Sequence, residues 1–243
     1  MKLDVLVIAA HPDDAEISVG GTILKLVDAG KRVGVVDLTQ GEMGTRGTEE
    51  DRRAETRTAT ELMGLTHRSN LDLPDGRIEV NPETREALAR RIRELAPDVV
   101  LAHHTEDLHP DHCAAGRLAR EAWYLAGLKR LAGPPHDTAD APPAHRPARL
   151  FHFQGHVPFE PTFIIDVSAV WERKREVIRA YASQLDGNDP ADDGKHFLFG
   201  ADILQRAESK ARFFGELVGC GFGEPLLHRG PLSSDDWTLF GGG

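Results

Sequence analysis

The sequence predicts an α/β fold with a mostly parallel, Rossmann-like sheet flanked by helices. Three observations lead to this prediction. Short apolar runs typical of buried strands alternate with longer segments of helical period. The first three elements form a strand, a helix and a second strand, which is the βαβ unit of parallel sheets. Polar clusters follow two of the apolar runs, at the strand ends where open α/β sheets form their sites.

The chain has 243 residues, which is enough for one large α/β domain whose core needs no disulfides or structural metals. We expect residues 1–230 to form this single domain. Residues 231–243 are expected to be a flexible tail, because they contain few apolar side chains to bury.

The strands are predicted from apolar runs that end at turn residues. The first run begins close to the amino terminus, and Pro74, Asp75 and Gly76 give a strong turn signal after the third. In chain order, the predicted strands cover residues 3–10, 32–38, 70–73, 99–102, 149–154 and 163–167.

The helices are predicted from the spacing of apolar residues and from signals at their ends. Gly30 ends the first helix, and Thr48 with Asp51 three residues later can cap the second. Pro82 occupies the first position of the third helix, and Pro97 follows its end. In chain order, the predicted helices cover residues 16–29, 48–63, 82–96, 110–125, 169–181 and 203–217.

Two polar segments have no apolar period. Residues 132–149, rich in Pro, Ala, His and Asp, are expected to form either an ordered excursion or a mobile flap over the carboxyl edge of the sheet. Residues 186–195 are expected to form a mobile loop between the last two helices.

The composition favours a small-molecule substrate. A formal net charge of -10 and a pI near 5.6 argue against a nucleic-acid groove or an anionic membrane surface, since both require clustered Lys and Arg. The two cysteines, Cys113 and Cys220, are too few for a disulfide framework. The first apolar run is too short for a membrane span and does not resemble a signal peptide. We therefore expect a soluble, cytoplasmic protein.

Two clusters of histidine and aspartate dominate the sequence: His11-Pro12-Asp13-Asp14 and His109-Pro110-Asp111-His112. Each follows a predicted parallel strand, so both are expected at the carboxyl edge of the sheet. Imidazole nitrogen and carboxylate oxygen are ligands that zinc accepts at about 2.0–2.2 Å. Together the clusters supply three ligands and a base, with one position left open for water, which predicts a zinc hydrolase. The spacing alone leaves open whether Asp13 or Asp14 contacts the metal.

The second cluster is expected to start a helix. With His109 as the N-cap and Pro110 in the first turn, His109 and His112 lie on one side of the helix. One imidazole can then bind metal while the other faces the substrate. The positive helix end is expected to keep His112 neutral, and Asp111 can orient or charge a neighbouring histidine.

The two clusters, with Gly20-Gly21 between them, resemble the LmbE-like family, the N-acetylglucosaminyl-phosphatidylinositol de-N-acetylase (PIG-L) superfamily. Its members are zinc-dependent deacetylases of N-acetylglucosamine conjugates on a Rossmann-like, LmbE-like fold. A fuller set of matches resembles the bacterial branch that deacetylates N-acetylglucosaminyl malate in bacillithiol biosynthesis. That set comprises Asp37-Leu38-Thr39, Arg52 with Glu55, Asn70-Leu71, Leu73-Pro74-Asp75, His145-Arg146-Pro147, Tyr181 with Ser183-Gln184, Phe214-Gly215 and Gly223-Glu224. The chain departs from this branch at Phe222, where relatives often have Tyr.

The resemblance implies roles for individual residues. One Zn²⁺ per chain is held by His11, Asp14 and His112. Asp13 becomes the general base, and His109 the oxyanion stabiliser or acid. Either Asp13 or His109 protonates the leaving amine. Asp111 tunes His109.

The resemblance also implies substrate contacts and an assembly. Arg52 is expected to bind sugar hydroxyls or a carboxylate, with surface pairing to Glu55 as the alternative, and Arg146 is a weaker candidate for the malate carboxylates. A homo-oligomer, either a trimer or a hexamer, is implied. Histidines outside the clusters, including His103, are expected to be structural. Two other functions stay open: deacetylation of another small amide such as a chitobiose-like sugar, and a catalytically silent metal-dependent binding protein.

Overall fold

The computed structural model describes residues 1–44, 47–131, 142–185 and 202–232. The predicted mobile loop at 186–195, most of the predicted tail and part of the predicted excursion lie outside these residues.

The described residues contribute to one seven-stranded sheet, with the strands in the order β3-β2-β1-β4-β5-β7-β6. The five strands from β3 to β5 pair in parallel, and β7 is antiparallel to both of its neighbours. The predicted fold class is therefore confirmed. The strands are β1 (Val5–Ala9), β2 (Val33–Asp37), β3 (His67–Asn70), β4 (Val99–His103), β5 (Arg149–Phe153), β6 (Phe163–Asp166) and β7 (Gly223–Leu227).

Two of the helices begin with capping boxes. Thr48 and Asp51 form a reciprocal capping box, and Asn81 forms another with Thr84 ahead of Pro82. The helices are α1 (Asp14–Asp28), α2 (Glu49–Met63), α3 (Pro82–Leu95), α4 (Pro110–Ala126), α5 (Trp171–Arg179), the short α6 (Ala182–Leu185) and α7 (Ile203–Val218).

Each face of the sheet packs against a separate group of helices. On β1, Val7 belongs to the core shared with α1, α2, α5 and α7, whereas Leu6 and Ile8 belong to the core shared with α3 and α4. All three side chains are fully buried. This alternation follows from the period of two along a strand, and a sheet buried on both faces needs apolar residues at every position.

Strand β1 lies between β2 and β4, and the chain leaves β1 and β4 for helices on opposite faces of the sheet. The sheet therefore has its switch point between β1 and β4. In open α/β sheets a crevice forms at the carboxyl ends of the two strands that flank such a point. Both histidine and aspartate clusters leave the sheet at this crevice.

The described part of the segment predicted to cross the carboxyl edge lies at the opposite edge. The backbone N–H of His145 donates to the carbonyl oxygen of Ala126 at the end of α4, over 2.9 Å. The N–H of Ala148 donates to Asp98 O, just before β4, over 2.8 Å. The prediction is wrong for these residues because α4 returns to the amino edge, where parallel strand β5 must begin.

Strand β7 was not predicted, and the third strand was predicted three residues too late in the chain. The carboxylate of Glu224 on β7 is buried and accepts from the backbone N–H groups of Gly21 and Thr22 over 2.8 and 2.7 Å. Lys174 Nζ on α5 lies 2.6 Å from the same carboxylate. Glu224 thus connects β7 to α1 and α5.

Within the described ranges, no helix combines the length and apolar character needed to cross a bilayer.

Candidate metal centre

Two imidazoles and one carboxylate converge at the switch point. His11 Nδ1 lies 3.2 Å from Asp14 Oδ2, and His112 Nε2 lies 3.2 Å from Asp14 Oδ1. One ligand atom from each of these three residues lies within 4.8 Å of the others. Three mixed nitrogen and oxygen ligands are the usual protein contribution to a catalytic zinc site.

The backbone gives Asp13 and Asp14 different contacts. Asp13 has φ of 113°, a conformation that costs energy for a residue with a side chain, and its carboxylate makes no capping hydrogen bond to α1. Asp14 is the first residue of α1, and its Oδ2 accepts from the backbone N–H of His11 over 2.9 Å. The carboxylate that joins the imidazoles is therefore that of Asp14, as the family resemblance implies.

The second nitrogen of each converging imidazole faces another carboxylate. His11 Nε2 lies 3.0 Å from Asp75 Oδ1 and 3.3 Å from Asp111 Oδ2. His112 Nδ1 lies 3.2 Å from Asp107 Oδ2. Metal-binding histidines commonly donate their other N–H group to a carboxylate, which fixes the tautomer and the ring orientation. This arrangement fits zinc bound through His11 Nδ1 and His112 Nε2.

Asp107 is held by the segment that follows β5. The backbone N–H of His156 donates to Asp107 Oδ2 over 3.0 Å, and His156 Nδ1 lies 2.9 Å from Asp107 Oδ1. A Cβ at Gly155 would overlap the Asp107 carboxylate and would lie 3.1 Å from His112 Nδ1. A third strand end therefore completes the centre, and only glycine fits at its point of closest approach.

His103, at the end of β4, also belongs to the centre. Its Nε2 lies 3.1 Å from Asp14 Oδ2, and its ring stacks on that of His112 with 4.1 Å between centroids. Burial and the nearby His112 lower the pKa of His103 to about 4, so its imidazole is neutral. The sequence led us to expect a structural histidine at this position, and β4 places its ring against the Asp14 carboxylate.

The electrostatic field at the centre favours a cation. Burial alone would lower the pKa of His112, but Asp14 and Asp107 raise it to about 9. The pKa of His11 is raised well above its usual value, since hydrogen bonds to Asp111, Asp14 and Asp75 outweigh its burial. The adjacent carboxylates therefore oppose the helix dipole that was expected to keep His112 neutral. The same carboxylates favour a metal ion as well as a proton.

Arg52 lies against Asp13. Its Nη1 donates to Pro12 O over 2.9 Å and lies 3.3 Å from Asp13 Oδ2. Burial raises the pKa of Asp13 to about 7, while Arg52 acts to lower it and Asp14 to raise it further. Glu55 instead accepts from Ser183, so the alternative of an Arg52–Glu55 surface pair is not what the structure shows.

His109 caps α4 with its ring. Its Nδ1 accepts from the backbone N–H of Asp111 over 3.1 Å, which leaves Nε2 to carry the proton of the neutral imidazole. Burial, with His112 and His11 nearby, lowers the pKa of His109 and favours that neutral form. The ring centroid lies 4.9 Å from that of His11. The Asp111 carboxylate accepts from Gly76 N over 2.7 Å and contacts His11, so its hydrogen bonds are not with the His109 ring.

The structure does not bring Arg146 to the centre. Its guanidinium lies 5.5 Å from the ring of Trp123 and 5.7 Å from that of Tyr124, near the end of α4. The centre lies at the beginning of the same 17-residue helix. At about 1.5 Å per residue, the two ends are about 25 Å apart, so Arg146 does not reach a substrate at the metal.

Four residues of the centre were not assigned to it from the sequence. Asp75 appeared only as part of a turn signal and of the fuller motif set. Asp107 and His156 gave no local signal, since neither lies in a histidine and aspartate cluster. Only the pairing of β4 with β5 brings the segments after them together. The four residues are Asp75, His103, Asp107 and His156.

The sequence model of the family described as "PIG-L: GlcNAc-PI de-N-acetylase" matches residues 6–123. A diacetylchitobiose deacetylase of Thermococcus kodakarensis is 33% identical over 191 residues, which cover 74% of this chain and 70% of that protein. A 4-oxalmesaconate hydratase of Pseudomonas putida is 28% identical over 196 residues, covering 74% of this chain and 73% of that protein.

The structure is also similar to a crystal structure of a conserved protein from Thermus thermophilus. The TM-score is 0.82 and the sequences are 36% identical, with 97% of this chain and 98% of the other covered. The resemblance noted in the sequence is confirmed, and the chain belongs to the PIG-L (LmbE-like) family of GlcNAc-PI de-N-acetylases.

Proposed function

We propose that this protein is a zinc-dependent hydrolase that removes the N-acetyl group from an N-acetylglucosamine conjugate, releasing acetate and a free amine. The observation that carries the proposal is the convergence of His11, Asp14 and His112, with Asp13 and His109 beside them and outside that ligand set. The similarity to a diacetylchitobiose deacetylase supports this reaction class.

The donor set fits zinc, which His11, Asp14 and His112 would hold. When bound, zinc supplies Lewis-acid polarisation of a carbonyl and lowers the pKa of a bound water to about 7. Asp75, Asp111 and Asp107 would keep the two imidazoles in the required tautomers.

The protein's own groups account for the proton transfers. The Asp13 carboxylate, held by Arg52, would accept the proton of the attacking water as general base. His109 would donate from Nε2 to the oxygen that becomes negative as the acetyl carbon turns tetrahedral, because its Nδ1 is already an acceptor. Collapse then requires a proton on the amine nitrogen, delivered by Asp13 or His109.

We propose N-acetylglucosaminyl malate as the substrate, on the resemblance to the bacillithiol branch. The experiment is a panel of acetylated sugars with zinc-loaded protein, with release of free amine as the measurement. We expect turnover of N-acetylglucosaminyl malate with a higher kcat/KM than that of N,N′-diacetylchitobiose. Preference for the neutral disaccharide would overturn the malate assignment and would favour the chitobiose-like alternative.

A second candidate reaction is the hydration of an unsaturated carboxylate, because one relative is described as 4-oxalmesaconate hydratase. The same panel should include that substrate, with loss of its conjugated absorbance as the measurement. We expect no hydration above the protein-free control. Hydration together with no amine release would replace the deacetylase proposal. Absence of both activities would favour the catalytically silent binding protein.

The assembly and the domain organisation stay predictions. We propose a homo-oligomer, a trimer or a hexamer, built from a single domain over residues 1–230. Sedimentation equilibrium of the zinc-loaded protein measures the oligomeric state, and a monomer would contradict the proposed assembly. Limited proteolysis measures the extent of the folded domain.

A further inference from the structure

A groove runs along the outer edge of the sheet between α2 and β3. It has a volume of about 520 Å³, within the range of ligand pockets, which is about 300–1,000 Å³. Pro12 and Arg52 line one end of the groove, and Leu65 and Thr66 line the other. The end at Pro12 and Arg52 adjoins the metal centre, because Pro12 lies between His11 and Asp13 and Arg52 contacts Asp13.

Three further arginines line the groove, and they differ in how firmly carboxylates hold their guanidinium groups. Arg68 is occupied, since it binds Asp37 through Nε and Nη2 over 2.8 and 3.0 Å. Arg53 lies 2.9 Å from Glu49, but both side chains are mostly exposed, so this pair holds Arg53 only weakly. Arg57 has no carboxylate partner among the residues that the structure describes, although Glu61 also lines the groove.

The spacing along α2 fits a substrate that extends past Arg52. Arg57 lies five residues after Arg52 on the same helix, which is about 8 Å along its axis. That length is close to one sugar ring with a short substituent. A sugar whose acetamido group is at the metal could therefore place its substituent beside Arg57 and Arg53.

We propose that this groove binds the part of the substrate beyond the sugar, and that Arg57, assisted by Arg53, selects a substituent that carries a carboxylate. The proposal rests on the deacetylase function proposed above. It assigns the recognition of negative charge to α2 instead of to Arg146, which lies at the opposite edge of the sheet. In a protein with a net charge of -10, an arginine without a carboxylate partner at this position favours an anionic group.

The test compares two substrates in one variant. We expect Arg57→Gln to lower the ratio of kcat/KM for N-acetylglucosaminyl malate to that for N,N′-diacetylchitobiose about tenfold, mainly through a higher KM for the malate conjugate. The matched control is Arg91→Gln on α3, which removes one positive charge on the opposite face of the sheet. The control should leave the ratio unchanged.

An unchanged ratio in Arg57→Gln would overturn the proposal, and so would an equal loss on both substrates. Calorimetric titration of the zinc-loaded protein with L-malate gives a second measurement that needs no turnover. We expect Arg57→Gln to weaken malate binding, while equal binding by wild type and variant would count against the groove. If wild type deacetylates no sugar but Arg57→Gln still loses malate binding, the deacetylase proposal fails and the anion site stands.

Discussion

Neighbouring aspartates at the centre make different contacts because the backbone turns between them. Asp13 and Asp14 could both have been acids at a helix start, and the sequence alone does not separate them. The positive φ of Asp13 removes its carboxylate from the helix end and places it against Arg52, while Asp14 joins the two imidazoles. Backbone strain at a functional residue of this kind is tolerated where surrounding contacts fix it.

This separation predicts the behaviour of Asp13→Asn. We expect the variant to bind zinc as wild type does and to lose about 10²–10⁴-fold in kcat, because the amide cannot accept the proton of water. Elemental analysis and initial rates measure the two effects. Asp14→Asn is the matched control, and it should lose zinc as well as activity. Unchanged turnover in Asp13→Asn would place the base elsewhere.

The two histidines at the start of α4 should also differ. We expect His109→Ala to keep zinc and to lose about 10²–10³-fold in kcat, since it removes a donor to the developing oxyanion. His112→Ala should lose zinc, because it removes one of the three proposed ligands. Metal content of both purified proteins tests the pair. A zinc-free His109→Ala would show that His109 is a ligand.

Gly155 gives a third prediction, because a methyl group there overlaps Asp107. We expect Gly155→Ala to weaken zinc binding by about 10–100-fold, the usual effect of disturbing a carboxylate behind a metal-bound histidine. Competition with a chelator measures the affinity. Gly20→Ala is the control, since its Cβ would lie at an ordinary contact distance of 3.5 Å from Lys174. Equal affinity in the two variants would mean that Asp107 does not orient His112.

At the scale of elements, the sequence predicted the strands with continuous apolar runs and missed β7. Pro225 and Gly223 interrupt its pattern, and proline is rare within a central strand. The strand tolerates Pro225 because its pairing with β5 involves only Leu226 and Leu227, while Pro225 lies opposite Ile164 of β6. Nothing in the sequence indicated that Glu224 would be buried against two helices, since that contact depends on the position of β7.

The buried pair of Glu224 and Lys174 predicts a large loss of stability in Glu224→Ala. Both side chains are 2% exposed, so the variant leaves an unpaired ammonium in the core. We expect the free energy of unfolding to fall by about 3–5 kcal/mol, measured by urea denaturation. Glu208→Ala breaks an exposed pair with Arg212 and should cost less than about 1 kcal/mol. A loss in Glu224→Ala as small as that expected for Glu208→Ala would show that the buried pair is dispensable.

At the scale of the whole molecule, the parallel βαβ arrangement and the placement of both clusters at the carboxyl edge of the sheet were predicted from the sequence. These features follow from the periodicity of apolar residues, which is visible in the sequence, and from the general right-handedness of parallel crossovers. The carboxylates behind the ligands could not be predicted, because Asp75 and Asp107 reach the imidazoles only through long-range packing. The place of Arg146 was missed for the same reason.

Because zinc would join segments from two strands, it should stabilise the whole fold. At free zinc about 100-fold above Kd, binding contributes about 2.7 kcal/mol, which corresponds to about 5–10 °C in Tm for a chain of this size. Thermal unfolding with zinc and with a chelator measures the difference. His112→Ala should show no such shift. A shift of equal size in that variant would mean that zinc acts at another site.

The parallel pairing of β1 with β4 also bears on how the protein is made. His11 and Asp14 emerge early from the ribosome, but His112 joins them only after three crossovers are complete and β4 has docked beside β1. Contacts between such distant segments form late, because closing a long loop costs entropy before the contact is gained. A metal at this centre would therefore bind after the sheet has assembled.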